Sequence, residues 1–240
     1  MHNFFFGIYP YIALSVMILG SIARYESEPF TWKSSSSQLL RRKQLIWGSI
    51  LFHVGILVLF FGHLIGMFTP VWVLDTFGIP YGLKQWMAVI IGGPAGIAAL
   101  IGSTMLLHRR IADPRIRATS TFADTGILWL LVIQLVLGLA TITQSMRHLD
   151  GSEMVTLMNW AQSIAYFRFD AAGYVVNAHW LFKAHLFLGL TIILVFPFTR
   201  LVHMLSVPLR FLWRPGYQVV RSRRKAPLPA RDARKTTPAE

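Results

Sequence analysis

Five long apolar runs constrain the fold of this 240-residue chain more than any other feature of its sequence. They cover approximately residues 4–23, 45–68, 86–107, 125–146 and 180–205. A helix needs about 20 apolar residues to cross the hydrocarbon core of a bilayer, and each run is about that long. No basic residue precedes the first run, so we expect a retained helix and not a cleaved signal. The sequence therefore predicts an all-α integral membrane bundle of five transmembrane helices.

The composition agrees with lipid as the solvent around most of the chain. Only 14% of the residues are charged and 54% are hydrophobic, whereas a soluble domain averages about a quarter charged residues. The formal net charge of +13 lies mostly between the apolar runs and in the C-terminal tail, which is a topology signal and disfavours nucleic acid as a partner. The chain contains no cysteine, which excludes disulfides, iron–sulfur clusters and thiolate-ligated metals within it.

The distribution of Lys and Arg predicts how the chain is oriented. The first and third connections and the tail are rich in Lys and Arg, while the second connection holds only Lys84. Because cytoplasmic loops carry the excess of positive charge, we expect the N-terminus outside and the C-terminus in the cytoplasm. The chain then divides into a five-helix membrane domain over residues 1–214 and a basic cytoplasmic tail over residues 215–240.

The connection between the fourth and fifth runs has its own pattern. Apolar residues recur at helical spacing between Arg147 and His179, starting with Met154, Leu157 and Met158. The pattern predicts a short amphipathic helix lying on the outer surface, and an ordinary structured loop is the alternative.

Four of the eight histidines fall within predicted spans, His53 and His63 on the second and His185 and His203 on the fifth. Ionisable residues in lipid are costly, so they are candidates for function. The second and fifth helices run antiparallel, which pairs His63 with His185 on the outer side and His53 with His203 on the inner side. Each pair can supply both axial ligands of one b-type haem, as in other helical bundles. A different metal site and a proton relay are the alternatives.

On ideal helices the spacing of the two histidines on the second run does not match the spacing of the two on the fifth. Eighteen residues make five full turns, so His185 and His203 share a face, whereas the ten residues between His53 and His63 leave a rotation of about 80°. Helix tilt, an inclined haem or a kink at Pro197 would absorb the mismatch.

Charged and small residues near the histidines could contribute to a haem site. Arg109 and Arg110 end the third run on the inner side and could bind haem propionates, or serve as ordinary cytoplasmic anchors. On the outer side, Lys84 and Lys183 could act near the outer haem, or extend to the interface. Small residues could leave room for a planar ligand or simply pack helices; they are Gly55, Gly62, Gly66 and Gly189.

Several segments together resemble one known family. They are FFFGIYPYI, SSQLLRRK, LFHVGILVLFFGHLIGM, RRIADPRIRAT, HLDGSEM and FPFTRLVHMLSVP. In order and spacing they are similar to the gamma subunit of respiratory nitrate reductase, over nearly the whole chain to about Tyr217. The tail beyond Arg221 looks longer than is usual in that family.

The resemblance implies a dihaem cytochrome b subunit in the bacterial inner (cytoplasmic) membrane. The ligand pattern of the family falls on the same four histidines, with the same pairing. The family's quinol site falls on Gly62, His63 and Lys84, and its arginine contact to the inner haem falls on Arg110. Menaquinol or ubiquinol would be oxidised outside, and the electrons would pass through the two haems to an iron–sulfur beta subunit. A molybdenum-containing alpha subunit would then reduce nitrate, in anaerobic respiration or nitrate assimilation.

Three other functions compete with this interpretation. The nearest is a cytochrome b subunit of a heterodisulfide- or sulfite-reductase-type complex, which only its partner subunits would distinguish. A histidine-containing proton-coupled transporter is disfavoured because the predicted spans contain no Asp or Glu. A structural anchor without a cofactor would have no use for four aligned histidines.

Overall fold

The computed structural model describes residues 1–32, 40–147 and 149–206. These residues form helices, turns and bends without a β-strand, and residues 1–205 make one compact unit. The predicted basic tail and residues 207–214 of the predicted membrane domain lie outside the described part. The division of the chain at residue 214 therefore stays a prediction.

The helices follow the apolar runs and the short connections between them. A π-helical turn over Phe4–Ile8 leads directly into the first α-helix. The α-helices are α1 (Tyr9–Ser27), α2 (Arg42–Phe68), α3 (Val71–Thr76), α4 (Tyr81–Ala112), α5 (Pro114–Ala118), α6 (Phe122–Ser145), α7 (Ser152–Ala165), α8 (Ala171–Tyr174) and α9 (Trp180–Val195). Short 3₁₀ segments cover Pro29–Thr31, Phe196–Phe198 and Arg200–Ser206.

The prediction of five membrane-spanning helices is confirmed within the described residues. Five helical segments there, including α1, α2, α4, α6 and α9, are long and apolar enough to cross a bilayer. Many large apolar side chains on them are exposed, as expected for helices that face lipid. The third span is longer than its apolar run because α4 begins after Pro80 and ends before the Asp113–Pro114 step. That extension puts Lys84, Arg109 and Arg110 on the helix itself.

The spanning helices pack in the order α2, α4, α6, α9 and α1. Small residues bring α2 and α4 together: a Cβ at Gly55 would lie 2.5 Å from the carbonyl oxygen of Ala95 and 2.7 Å from the backbone nitrogen of Ala99. Gly55 thus serves helix–helix packing, the second of the two roles predicted for it. Gly62 and Gly66, farther along α2, have open space where a Cβ would lie.

The predicted helix between the fourth and fifth spans is present as α7. It begins after Gly151, whose positive φ of 81° suits glycine, and it packs on α2, α4 and α8. Its apolar face is buried in the main hydrophobic core, where Nε1 of Trp160 donates a hydrogen bond to the carbonyl of Phe6 at 2.9 Å. Helix α7 therefore covers one end of the bundle, and its position on the outer surface remains a prediction.

The fifth span is broken where the sequence suggested only a kink. Proline has no N–H to donate and its ring clashes with the preceding turn, so α9 ends at Val195 and Pro197 lies in the 3₁₀ segment that follows. Nη1 of Arg24 donates to the carbonyls of Pro197 and Thr199 at 2.7 and 2.8 Å, which satisfies groups that the break leaves free. His185 and His203 therefore do not share a face of one continuous helix, and that expectation was wrong.

An ion pair closes the turn between α4 and α5. Nε of Arg41 lies 3.0 Å from Oδ2 of Asp113, and Oδ1 of the same carboxylate accepts hydrogen bonds from the backbone N–H groups of Arg115 and Ile116. Desolvation alone would raise the pKa of Asp113, but those N–H groups and Arg41 together lower it. The carboxylate thus stays ionised and links the start of α2 to this turn.

Candidate functional site

The structure brings His63 and His185 together. The centroids of their rings lie 6.2 Å apart, with the ring planes inclined by 36°. His63 lies in the second half of α2 and His185 near the start of α9. We call these two residues the outer pair, following the predicted orientation of the chain.

His53 and His203 meet in the same way. Their ring centroids lie 6.4 Å apart and their planes are inclined by 69°. His203 is carried by the 3₁₀ segment after the break at Pro197, and not by α9. We call these two residues the inner pair. Since ten residues of helix rise about 15 Å, the two pairs are stacked along α2 at clearly different depths.

The spacing of the rings fits two imidazoles that share one iron. A metal–imidazole bond is about 2 Å long, and with about 1 Å from nitrogen to ring centre at each end the centroids should lie about 6 Å apart. Both measured distances agree with that value. No group of three or more His, Asp or Glu suited to a bare metal ion occurs among the described residues. A porphyrin supplies four nitrogen ligands to its iron, and the iron needs only two more. Each histidine pair offers two.

Hydrogen bonds orient three of the four imidazoles for such a role. In each, Nδ1 faces a backbone carbonyl oxygen of the preceding helical turn. The acceptors are Ser49 for His53 (2.8 Å), Leu59 for His63 (2.7 Å) and Arg200 for His203 (2.5 Å). When Nδ1–H donates to a carbonyl, the lone pair of a neutral imidazole is on Nε2, ready to bind a metal. The donor set and its orientation therefore fit haem.

His185 is instead held between α9 and α6. Its ring lies against Gly138, where a Cβ would come within 2.9 Å of Cε1 of His185. Nε2 of the Gln134 amide lies 3.1 Å from the backbone oxygen of His185 and 3.4 Å from its ring Nε2. Gly189 leaves space for that amide, since a Cβ there would lie 3.1 Å from Nε2 of Gln134. Gln134 and Gly138 were not among the residues predicted from sequence, because neither is charged nor part of a recognisable spacing.

Lys84 lies beside the part of α2 that carries the outer pair. Its ammonium donates to the carbonyl of Gly66 at 2.9 Å and lies 3.4 Å from the sulfur of Met158 on α7. Gly66 follows His63 by one helical turn, and Gly62 precedes His63 directly. The three residues predicted for a quinol site, Gly62, His63 and Lys84, therefore lie in one region. Lys183 has a different partner, donating to the carbonyl of Val176 at 2.6 Å.

Arg110 belongs to a buried network of charges near the inner pair. Its Nη1 donates to the hydroxyl of Ser120 at 2.8 Å and lies 3.5 Å from the carboxylate of Asp124. The other oxygen of Asp124 lies 2.9 Å from Nε of Arg200, whose carbonyl accepts from His203. Arg109 is also buried, and it donates to the carbonyl of Leu40 at 2.7 Å. Arg110 is thus connected to the inner pair through two side chains, and Arg109 has a separate partner.

Asp124 was missed because the fourth span was predicted to begin at residue 125. The helix in fact begins at Phe122, and Thr121 and Asp124 form a reciprocal capping box at its start. The pattern Thr-x-x-Asp before an apolar run is a known signal for such a start, so the sequence contained the information.

The fold and the site define a class of protein. It is a multi-pass helical membrane protein with two stacked histidine pairs, which join its second span to the fifth span and to the 3₁₀ segment after it. The chain belongs to the nitrate reductase gamma subunit family, whose model matches residues 2–223. This confirms the resemblance inferred from sequence.

Similarity to individual relatives extends over nearly the full length of each. The chain is 49% identical over 223 residues to the respiratory nitrate reductase 1 gamma chain of Escherichia coli, covering 93% of this chain and 98% of that relative. It is 49% identical over 224 residues to the respiratory nitrate reductase 2 gamma chain of the same organism, with the same coverage. The nitrate reductase gamma chain of Bacillus subtilis is 40% identical over 217 residues, covering 90% and 96%.

Replacing Gly138 by alanine should disturb the outer pair. The new methyl group would press on the ring of His185 at 2.9 Å, and overpacking of this kind costs about 1–3 kcal/mol. We expect Gly138→Ala to lower haem content at the outer pair, measured as haem per polypeptide in the purified complex. Gly126→Ala is the matched control, because Gly126 lies on the same helix with open space around it. Full haem content and an unchanged spectrum in Gly138→Ala would contradict this assignment.

Proposed function

We propose that the chain is the dihaem, quinol-oxidising membrane subunit of a respiratory nitrate reductase. The observation that carries the proposal is the pair of ring separations, 6.2 Å at the outer pair and 6.4 Å at the inner pair. Two such pairs stacked along α2 suit a path for electrons across the bilayer. Membership of the nitrate reductase gamma subunit family supports it independently.

The four histidines would hold two b-type haems. His63 and His185 would ligate the outer haem, and His53 and His203 the inner one. Each haem, when bound, would accept and give up one electron at a time. The carbonyls that accept from Nδ1 of three of the histidines keep those rings in the tautomer that binds a metal through Nε2.

Quinol oxidation is assigned to the region of Gly62, His63 and Lys84. Gly62 has no neighbour within 4 Å of a Cβ position, which leaves room for a ring beside His63. The ammonium of Lys84 is a charged donor that can bind a quinol or quinone oxygen, and its contact with the Gly66 carbonyl holds it close. With the N-terminus outside, the two protons of quinol are released outside while the electrons move inward, which generates membrane potential.

The inner end of the subunit would face its partners. Arg110, with Arg109 nearby, would bind the propionates of the inner haem, and Asp124 limits where the Arg110 guanidinium can move. Electrons would then reach a cytoplasmic iron–sulfur beta subunit and a molybdenum-containing alpha subunit, in a complex of the bacterial inner membrane. The two Escherichia coli relatives are named as respiratory enzymes, which favours anaerobic respiration over nitrate assimilation.

Removing one ligand of the outer pair should separate quinol oxidation from nitrate reduction. We expect His185→Ala in the assembled complex to lose the outer haem and abolish quinol-dependent nitrate reduction. Nitrate reduction by an artificial donor that delivers electrons directly to the partner subunits should continue. Haem content and both activities are measured on the same preparation.

The matched control is His108→Ala, because His108 is an exposed histidine on α4 that contacts Gln44 and belongs to neither pair. It should behave like the native complex in all three measurements. Quinol-dependent activity that persists in His185→Ala would contradict the proposed path. Partner subunits of a heterodisulfide- or sulfite-reductase type in the purified complex would instead support the nearest alternative function.

Lys84 should contribute to quinol oxidation without holding haem. A hydrogen bond to a charged group contributes about 1.5–3 kcal/mol, so Lys84→Met should lower kcat/KM for quinol roughly tenfold to a hundredfold. Both haems should remain. Lys183→Met is the control, since Lys183 binds the carbonyl of Val176 and should leave kcat/KM nearly unchanged. Equal effects of the two substitutions on quinol kinetics would argue against a specific role for Lys84.

A further inference from the structure

His185 differs from the other three histidines in how its ring is held. The others face a backbone carbonyl of their own helix through Nδ1. Nδ1 of His185 is buried and makes no hydrogen bond among the described residues. A metal-bound imidazole carries its proton on the second ring nitrogen, and that N–H normally donates to a partner. His185 therefore needs an acceptor that its own backbone does not supply.

Gln134 is the side chain that contacts this imidazole from α6. Its Nε2 lies 3.4 Å from Nε2 of His185 and 3.1 Å from the backbone oxygen of the same residue. Its carbonyl oxygen, Oε1, is buried and has no hydrogen-bond partner among the residues described. A buried acceptor and a buried ring nitrogen, both without partners, thus lie on two side chains already in contact. Leaving such groups unpaired in a buried site is unfavourable, so a hydrogen bond between them would be stabilising.

Two glycines make this contact specific. Gln134 and Gly138 are four residues apart on α6, and His185 and Gly189 are four residues apart on α9. The ring of His185 lies over Gly138, and the amide of Gln134 lies against Gly189. Each helix therefore provides one side chain and one gap for the side chain of the other. This reciprocal arrangement fixes Gln134 beside the ring.

We propose that Gln134 is the positioning residue of the outer haem site: when His185 binds iron through Nε2, the amide of Gln134 turns so that its oxygen Oε1 accepts the N–H of Nδ1. The inference rests on the proposed function, because it requires haem at the outer pair. A ligand whose N–H is hydrogen-bonded is more basic and stabilises ferric iron, so the acceptor lowers the reduction potential of the haem. Gln134 therefore helps to set the potential at which the outer haem takes electrons.

The test is a redox titration of the assembled complex, followed by visible absorbance and by the electron paramagnetic resonance of the two low-spin haems. Gln134→Leu removes the acceptor at similar size, and we expect an upward shift in the midpoint potential of the outer haem. Gln134→Glu keeps an acceptor whether or not its carboxyl group is ionised, so the potential should stay at or below the native value. The inner haem is the internal control and should not shift in either variant.

Gln144→Leu is the matched control, because it makes the same change on the same helix, ten residues away. It should leave both potentials unchanged. Loss of the outer haem from Gln134→Leu but not from Gln134→Glu would also support the inference. An unshifted outer haem in Gln134→Leu would overturn it, as would a rise in potential in Gln134→Glu or loss of the outer haem from both. A native complex without two haems would instead refute the proposed function.

Discussion

An imidazole ring in the middle of a bilayer needs partners for its polar atoms, and this requirement governs the arrangement of the protein. Water is absent there, so each ring nitrogen must meet a hydrogen-bonding group or a metal. Three of the four paired histidines use a carbonyl of their own helical segment for one nitrogen, and His185 lies beside a glutamine of a neighbouring helix. In the first three rings Nε2 is left for another partner, and in both pairs the ring separation is suited to iron.

The same requirement explains how the fifth span is built. An unbroken helix would carry His203 five turns below His185, on the same face. The break at Pro197 instead places His203 on a 3₁₀ segment opposite His53. A break inside a membrane span exposes backbone carbonyls, and the guanidinium of Arg24 satisfies two of them from α1. Helix α1 thus stabilises the backbone that leads to His203.

Most of the fold could be predicted from the sequence, because the length of an apolar run, the placement of charges and the positions of histidines can be read locally along the chain. The five spans and the helix α7 follow from hydropathy and periodicity alone. The break in the fifth span was underestimated, since Pro197 within an apolar run signals a disturbance but not its extent. The contacts of Gln134, Gly138 and Asp124 depend on which helices become neighbours. Long-range packing of this kind leaves no pattern in one sequence. Asp124 is the exception, because its local capping box with Thr121 could be recognised.

The most direct test of this account is a haem count on the purified chain. A dithionite-reduced minus oxidised visible spectrum identifies b-type haem, and a pyridine haemochrome assay measures its amount per polypeptide. The account predicts two b-type haems, one for each histidine pair. A folded protein that was supplied with haem and yet contains none would contradict it, and would return the four histidines to a role in proton transport.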